Sequence, residues 1–341
     1  MRRHVETVGN RPTLKDESMS EHRSQEIASP FHPGEIALQE SIGAAERMAE
    51  IGRKVIRDFM PDQHRDFMAQ LPFILLGAVD RQGDAWATLA TGEPGFVASP
   101  DPKHLTIRAR RDPDDPADAG LDDGSNIGLL GIELHTRRRN RANGTLRRNG
   151  ADGFSLAVEE SFGNCPKYIR LRDFRFEGAG EKRASAAIRM ERLDEHARAM
   201  ISAADTFFVA TYADRNNGHR QVDVSHRGGK PGFVRIDDDD RLTIPDFAGN
   251  RYFNTLGNIV LNGKAGLLFL DFETGDLLQL SGEAEVQVEP DGEFFQGSER
   301  LWTFRPRRVV YRPGALSLRW SAQENGESPF LATTGSWDAG R

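Results

Sequence analysis

The sequence predicts a mainly β protein with flanking helices (α+β), built as two small antiparallel barrels in tandem. Three observations carry this. GEPGFVASPDPKHLTI, starting at residue 92, returns as GKPGFVRIDDDDRLTI starting at residue 229, an offset of 137. GLLGIEL at 128–134 returns as GLLFLDF at 266–272, and Gly144 returns as Gly282, both at an offset of 138. Two copies of roughly 110 residues are too long to be solenoid units, so the repeat reads as a duplicated domain. The third observation is composition within each copy: short alternating strands, Gly, Asp and Asn at the turns, one or two helices and no regular strand-helix alternation. That pattern favours a small barrel over a doubly wound sheet.

The elements follow in order. Residues 1–30 are charged, with no apolar segment behind them, and are expected to be a disordered leader rather than a secretory signal. The first copy is expected over 31–185, the second over 186–322, and a tail over 323–341. From Glu35 to Met60, Ile36, Ile42, Ala45, Met48, Ile51, Val55 and Phe59 recur at helical spacing, weakened by Gly43 and Gly52 and ended by Pro61. DQHRDFMAQL then predicts a shorter helix and FILLGAVD a strand. The order returns as LDEHARAMISAAD, a helix with Leu193, Ala197, Met200, Ile201 and Ala204 on one side, followed by the strand FFVATYAD. The second turn, RNNGHRQ against RQGD, is three residues longer, which accounts for the change of offset from 134 at Asp80 and Asp214.

Composition narrows the function. The 341 residues carry 45 Lys and Arg against 52 Asp and Glu, a net charge of −7, so a broad basic footprint for nucleic acid or anionic membrane is not expected. Any anion site must be local. Cys165 is the only cysteine, which rules out an intramolecular disulfide or a thiolate metal cluster within one chain and fits a reducing cytoplasm. No apolar run approaches the roughly 20 residues that span a bilayer. No HExxH, GxGxxG or GxxxxGK[ST] spacing occurs, so no metal site is expected and the usual glycine-rich nucleotide loops are missing.

The copies differ where chemistry could lie. Copy 1 has the Pro- and Asp-rich RARRDPDDPADAGLDDGSNI where copy 2 has PDFAGNRYFNTLGNIVLNGKA. In copy 2, Leu256, Ile259 and Val260 form the apolar side of a short helix. Arg251, Asn254, Thr255 and Asn258 share the other side. A helix start beside an arginine and amide donors is a candidate phosphate seat, because free N–H groups, the helix dipole and a guanidinium converge there. The alternative is a polar turn into an ordinary surface helix. Upstream, Val222 and Val224 alternate with Asp223 and Ser225 and describe a half-buried strand. Gly228 and Gly229 are expected to let backbone approach a flat ligand. Lys230 and Arg235 bracket the PGFV strand, either as a phosphate cradle or as solvent-facing charges.

The order of elements, and KPGFVR…LTIPDFAGNRYFNTLGNI…GLLFLDF in particular, resembles the pyridoxamine 5′-phosphate oxidase-like, FMN-binding split-barrel superfamily. FHPGE, LHTRRRNRANG and SFGNCPKYIRLR look like its two-copy flavin-nucleotide-binding branch. The resemblance runs from Phe31 to Trp320. It implies two tandem split barrels of the FMN-binding type with FMN in a groove between them. Lys230 and Arg235 fall where the superfamily places basic residues at the ends of its PGFV-like strand, and Arg251 and Asn254 fall among its phosphate ligands. Ser225, His226, Arg227, Gly228 and Gly229 are then expected along the ring, with Thr255 and Asn258 beside the phosphate.

RRRNRANG, at 137–144, aligns with GDLLQLSG in copy 2, so an ordinary strand has become an arginine ladder. If it is a strand, Arg137, Arg139 and Arg141 point one way and Arg138 and Asn140 the other. Arg139 falls where the superfamily commonly has a glutamine near the flavin. The ladder either reaches FMN or an anionic substrate through Arg139 and Arg141, or pairs with the acidic loop 112–123. Cys165, before a proline and near Lys167, reads as an inert cysteine, and no catalytic residue is assigned. Two functions stand side by side. One is an FMN-dependent oxidoreductase of a small molecule, related to pyridoxamine 5′-phosphate oxidase, acting with a substrate or electron donor and able to pair as a homodimer. The other is a non-catalytic module that carries flavin, haem or a deazaflavin or serves as a redox partner. RRVVYRPGALSLRW does not show the C-terminal substrate pattern of the true oxidase.

Overall fold

The computed structural model describes residues 29–177, 186–215, 218–287 and 295–337. Most of the expected leader lies outside them. The expected long N-terminal helix is two helices, α1 (Pro33–Ser41) and α2 (Ala45–Val55), broken where Gly43 takes φ of 65°. His32 and Glu35 close α1 with a reciprocal capping box. Helix α3 (Asp62–Ala69) leads into the first sheet.

That sheet contains β1 (Phe73–Val79), β2 (Ala85–Thr91), β3 (Val97–Asp101), β4 (His104–Ile107), β5 (Asn126–Glu133), β6 (Arg138–Arg148) and β7 (Phe154–Gly163). Their spatial order is β2-β1-β5-β6-β7-β4-β3. Strands β8 (Arg172–Phe176) and β9 (Ile188–Met190) and helix α4 (Glu195–Ala203) lead to the second sheet. It holds β10 (Thr206–Asp214), β11 (Arg220–Gly228), β12 (Arg235–Ile236), β13 (Leu242–Phe247), β14 (Lys264–Leu270), β15 (Leu277–Gln287) and β16 (Ser298–Arg312), with α5 (Asn254–Asn262) between β13 and β14. The order is β11-β10-β14-β15-β16-β13-β12, the same path strand for strand, with β9 added beside β16. Strand β17 (Leu318–Ala322) leaves this sheet and pairs with β8. The described chain is thus mainly β with flanking helices, with two split barrels in tandem.

The two paths agree in detail. Register slips between Asn143 and Gly144 in β6 and between Ser281 and Gly282 in β15. A Cβ at Gly144 would lie 1.9 Å from the Ala157 carbonyl oxygen, and one at Gly282 would lie 2.1 Å from that of Arg305, so both bulges need glycine.

Each barrel has its own core, with Phe67, Trp86, Phe154 and Leu156 in the first and Phe207, Phe269, Trp302 and Phe304 in the second. A third cluster, including Leu75, Leu130, Phe208, Val224 and Leu268, lies between the sheets. Backbones touch there. A Cβ at Gly128 would lie 2.8 Å from the carbonyl carbon of Asp223, and one at Gly266 would lie 2.3 Å from the Ala85 oxygen. This contact makes a seam with approximate two-fold equivalence, β5 against β11 and β14 against β2. Strand β11 is therefore buried at Val222, Asp223 and Val224 alike, where alternation predicted a half-buried strand.

The expected tail is partly a packed segment. Trp337 donates from Nε1 to the Phe233 carbonyl at 2.9 Å and packs on Phe295, and Ser328 Oγ accepts from the Tyr168 backbone at 3.1 Å.

Candidate functional site

The seam opens on one side into a cleft with an open volume of about 620 Å3, mouth included. Strand β6 contributes Arg139 and Arg141, and the turn after β7 contributes Asn164 and Cys165. Strand β11 contributes Ser225, His226 and Arg227 from the other barrel. Asp246, Arg251, Phe253, Asn254, Thr255 and Glu299 complete the lining from the β13–α5 connection and β16.

Arg141 ties the walls together. Its Nη1 lies 2.7 Å from Asp223 Oδ1 and 3.0 Å from Asn254 Oδ1, while Nη2 donates to the Val224 carbonyl at 2.9 Å and to Ser225 Oγ at 2.6 Å. Arg141 and Asp223 are only 2% and 1% exposed in their side chains, so this pair joins the barrels in a water-poor interior. Asn143 donates to the same Asp223 oxygen at 2.8 Å, and Asn258 binds Thr211 at 3.0 Å and the other Asp223 oxygen at 3.4 Å. Arg227 pairs with Asp246, which also accepts from Arg300 at 3.0 Å.

The site is rich in positive charge. Burial pulls the Arg139 guanidinium down to about 10, with Cys165 opposing and Arg141 and Arg227 adding to the shift. Burial first, and then Arg139, Arg172 and Arg227, hold His226 well below its ordinary range, which leaves a neutral imidazole. The buried atoms Arg141 Nε, Arg227 Nε and His226 Nε2 have no partner among the described residues.

Helix α5 begins at this cluster without a side-chain cap. The turn before it is forced: Arg251 and Phe253 both take φ of 63°, a left-handed conformation that costs non-glycine residues of order 1–3 kcal/mol each. Helix α1 braces the turn. Gln39 Nε2 donates to the Tyr252 carbonyl at 3.4 Å, and Glu35 accepts from Asn254 Nδ2 with one oxygen and from the His32 backbone at 2.9 Å with the other. Burial, reinforced by Asp223, holds Glu35 well above the usual carboxyl range.

The structure thus brings together Arg139, Arg141, Ser225, His226, Arg227, Arg251, Asn254 and Thr255. The other candidates lie elsewhere. Lys230 Nζ donates to the Thr334 carbonyl at 2.6 Å, and Arg235 binds Asp237 at 3.0 Å with its guanidinium over Trp337. Both basic residues are taken up by the 323–337 segment and by the β12 turn. Asn258 is wholly buried behind the cleft. Gly228 and Gly229 admit the chain itself: a Cβ would lie 2.1 Å from the Tyr168 oxygen at the first and 2.3 Å from the Phe233 ring at the second. The arginine ladder does not pair with the acidic loop. Arg137 binds the carbonyls of Ile169, Gly326 and Glu327, and the loop's partners include Arg81, Arg111, Arg148 and Arg312.

Residues that pattern reasoning missed are Glu35, Gln39, Asp223 and Asp246. A signal existed for Asp223, a carboxylate between two valines of a strand that packs on both sides.

The equivalent place on the other side of the seam is built differently. Gln279 stands where Arg141 stands, 138 residues on, and donates to the Ala87 carbonyl at 3.1 Å as Arg141 does to that of Val224. It also donates to Asp115 Oδ1 at 2.9 Å. Asp115 is the N-cap of the short 3₁₀ helix Pro116–Gly120, accepting from Ala117 N at 2.9 Å. Arg312 lies 3.0 Å from its other oxygen and also pairs with Asp112. Here the chain supplies its own anion.

No family model matches the chain, and no curated protein matches it. Among solved structures, it is similar to HupZ of Group A Streptococcus at 18% identity, with 35% of this chain and 98% of that one covered and a TM-score of 0.26. It is similar to HutZ of Vibrio cholerae, described as a heme storage protein, at 14% identity over 36% and 95% with a TM-score of 0.25. A protein of Lactobacillus delbrueckii provisionally assigned as a pyridoxamine 5′-phosphate oxidase matches at 16% identity over 31% and 95%, also with a TM-score of 0.25. Each overlay takes in about a third of this chain, and the fold described above rests on the strand order.

Proposed function

We propose that this chain is an FMN-binding flavoprotein, an oxidoreductase of a small molecule, with one cofactor held in the arginine-lined cleft of the seam. One observation carries the reading. Copy 1 fills its helix start with Asp115, whereas copy 2 leaves the matching start at Phe253 bare and surrounds it with guanidinium groups. A bare helix N-terminus with unpartnered arginine nitrogens suits a phosphate. Arg251, Asn254 and Thr255 would hold the phosphate. Arg139, Ser225, His226 and Arg227 would face the ring, and Arg141 would keep the walls in register. Bound flavin supplies hydride and electron transfer. The surrounding positive charge favours its reduced, anionic form, and the neutral His226 can share a hydrogen bond without adding a charge.

The test is a titration of apoprotein with FMN, followed by reduction with NADH or NADPH in the presence of oxygen or a quinone. Flavin fluorescence quenched at a one-to-one ratio, with turnover, is the expected result. Absence of FMN binding sinks the reading, and binding without turnover leaves a carrier.

A specific feature favours haem as the second reading. His226 Nε2 is buried, neutral and without a partner among the described residues, which suits an axial ligand. The visible spectrum of the purified protein separates the two, and loss of a haem band in His226→Ala would establish the second.

A further inference from the structure

A second cleft opens beside α4 and shares no lining residue with the first. It lies between α4, the β8–β17 ribbon and the β14–β15 turn, with an open volume of about 1190 Å3, mouth included. Its lining includes side chains with buried donors. Arg172, 7% exposed in its side chain, spends Nη2 on both oxygens of Asp205 at 2.6 and 2.7 Å and lies 3.9 Å over the Phe272 ring. Its Nη1 is buried and has no partner among the described residues. Trp320 is 3% exposed, held edge-on by Phe73 and Phe272, and its Nε1 is likewise buried without a partner. A third buried donor, Arg170 Nε, is in the same state. Buried N–H groups left unpaired cost free energy, and several on one cleft call for acceptor oxygens from a ligand.

The same cleft also carries the opposite charge. Asp271 and Asp276 sit on the β14–β15 turn beside the exposed Glu273. Asp276 is fixed by the Tyr311 hydroxyl at 2.6 Å, and Asp271 by the backbone N–H groups of Glu273 and Thr274 at 2.8 and 3.0 Å. With Asp205 counted, four carboxylates face two arginines, so a simple anion is disfavoured here although it is welcome in the first cleft. Met200, Ala203 and Leu270 add an apolar part to the lining.

The geometry points to a second binding site, for a small zwitterion with an apolar body: its carboxylate on Arg172 and Trp320, its ammonium at the Asp271–Asp276 turn. An amino acid with a large apolar side chain has this chemistry.

The protein contains four tryptophans, so their indole N–H signals report the site directly in 15N-labelled full-length protein. The Trp320 signal is identified by its loss in Trp320→Phe, which keeps the ring packing. L-Phenylalanine is expected to shift that signal and leave the other three in place. Phenylacetate and phenethylamine, each lacking one charged end, bind about tenfold or more weakly. Ala203→Phe, on the exposed face of α4, fills the cleft without touching the core and abolishes the shift. An unmoved Trp320 signal, a shift that survives in Ala203→Phe, or phenylacetate binding as tightly as phenylalanine overturns the assignment.

Discussion

Asp115 and Phe253 hold equivalent positions, 138 residues apart, each at the N-terminal end of the helix that follows the LTI strand of its copy. The first caps its helix with a carboxylate and the second does not. One barrel thereby satisfies its own helix start, and the other leaves an opening at the seam.

Stoichiometry follows from this difference. FMN titration by calorimetry is expected to give one site per chain, because Asp115 already answers Arg312 and Gln279 in the other groove. A ratio of two would show that the acidic loop yields. Asp115→Ala removes the partner of a buried arginine and is expected to destabilise the fold by about 3–5 kcal/mol in urea unfolding.

Arg251 is exposed at the rim of the cleft, and its side chain makes no hydrogen bond within the described residues. Arg251→Ala is expected to leave the unfolding midpoint unchanged and to weaken FMN by at least about tenfold, the loss of a charge-assisted contact of roughly 1.5–3 kcal/mol. Equal affinity for the two proteins in a fluorescence titration would remove Arg251 from the site.

Asp223 has a different role. Its carboxylate receives Arg141, Asn143 and Asn258 from both barrels, so Asp223→Ala strands a buried guanidinium. A loss of about 3–5 kcal/mol is expected in chemical denaturation. A loss under 1 kcal/mol would mean that the seam does not depend on the pair.

Glu160 predicts a pH effect. Burial, and next the charge of Asp223, raise its carboxyl to about 7, against 4.5 when exposed. Between those values the folded state binds more protons than the unfolded one, so stability from this group is full below about pH 4.5 and is lost as pH rises through 7. The difference amounts to about 3 kcal/mol. Glu160→Gln is expected to flatten the fall in urea midpoint between pH 5 and pH 8 and to be the more stable protein at pH 8. Parallel pH profiles for the two would refute this.

The recurrence of the same helix, strand and turn motifs along the chain and the change of character at the α5 start were legible in the chain, because strand alternation, helical spacing and turn residues are local patterns. Eight of the candidate residues line one cleft, drawn from β6, β11, the β13–α5 connection and α5. Lys230 and Arg235 read as cradle residues only while the 323–337 segment was taken for a tail; Thr334 and Trp337 claim them in the fold.

What tertiary structure alone decided is the pairing across the seam. Arg141 and Asp223 are 82 residues apart, and Glu35 and Asn254 are 219 apart, separations at which no periodicity carries information. Their meeting depends on how closely two sheets approach, which Gly128 and Gly266 permit by leaving room for backbone where a side chain would stand. A carboxylate between two valines looks solvent-facing until a second barrel covers it; then burial makes it costly alone and strongly bound to the guanidinium of Arg141.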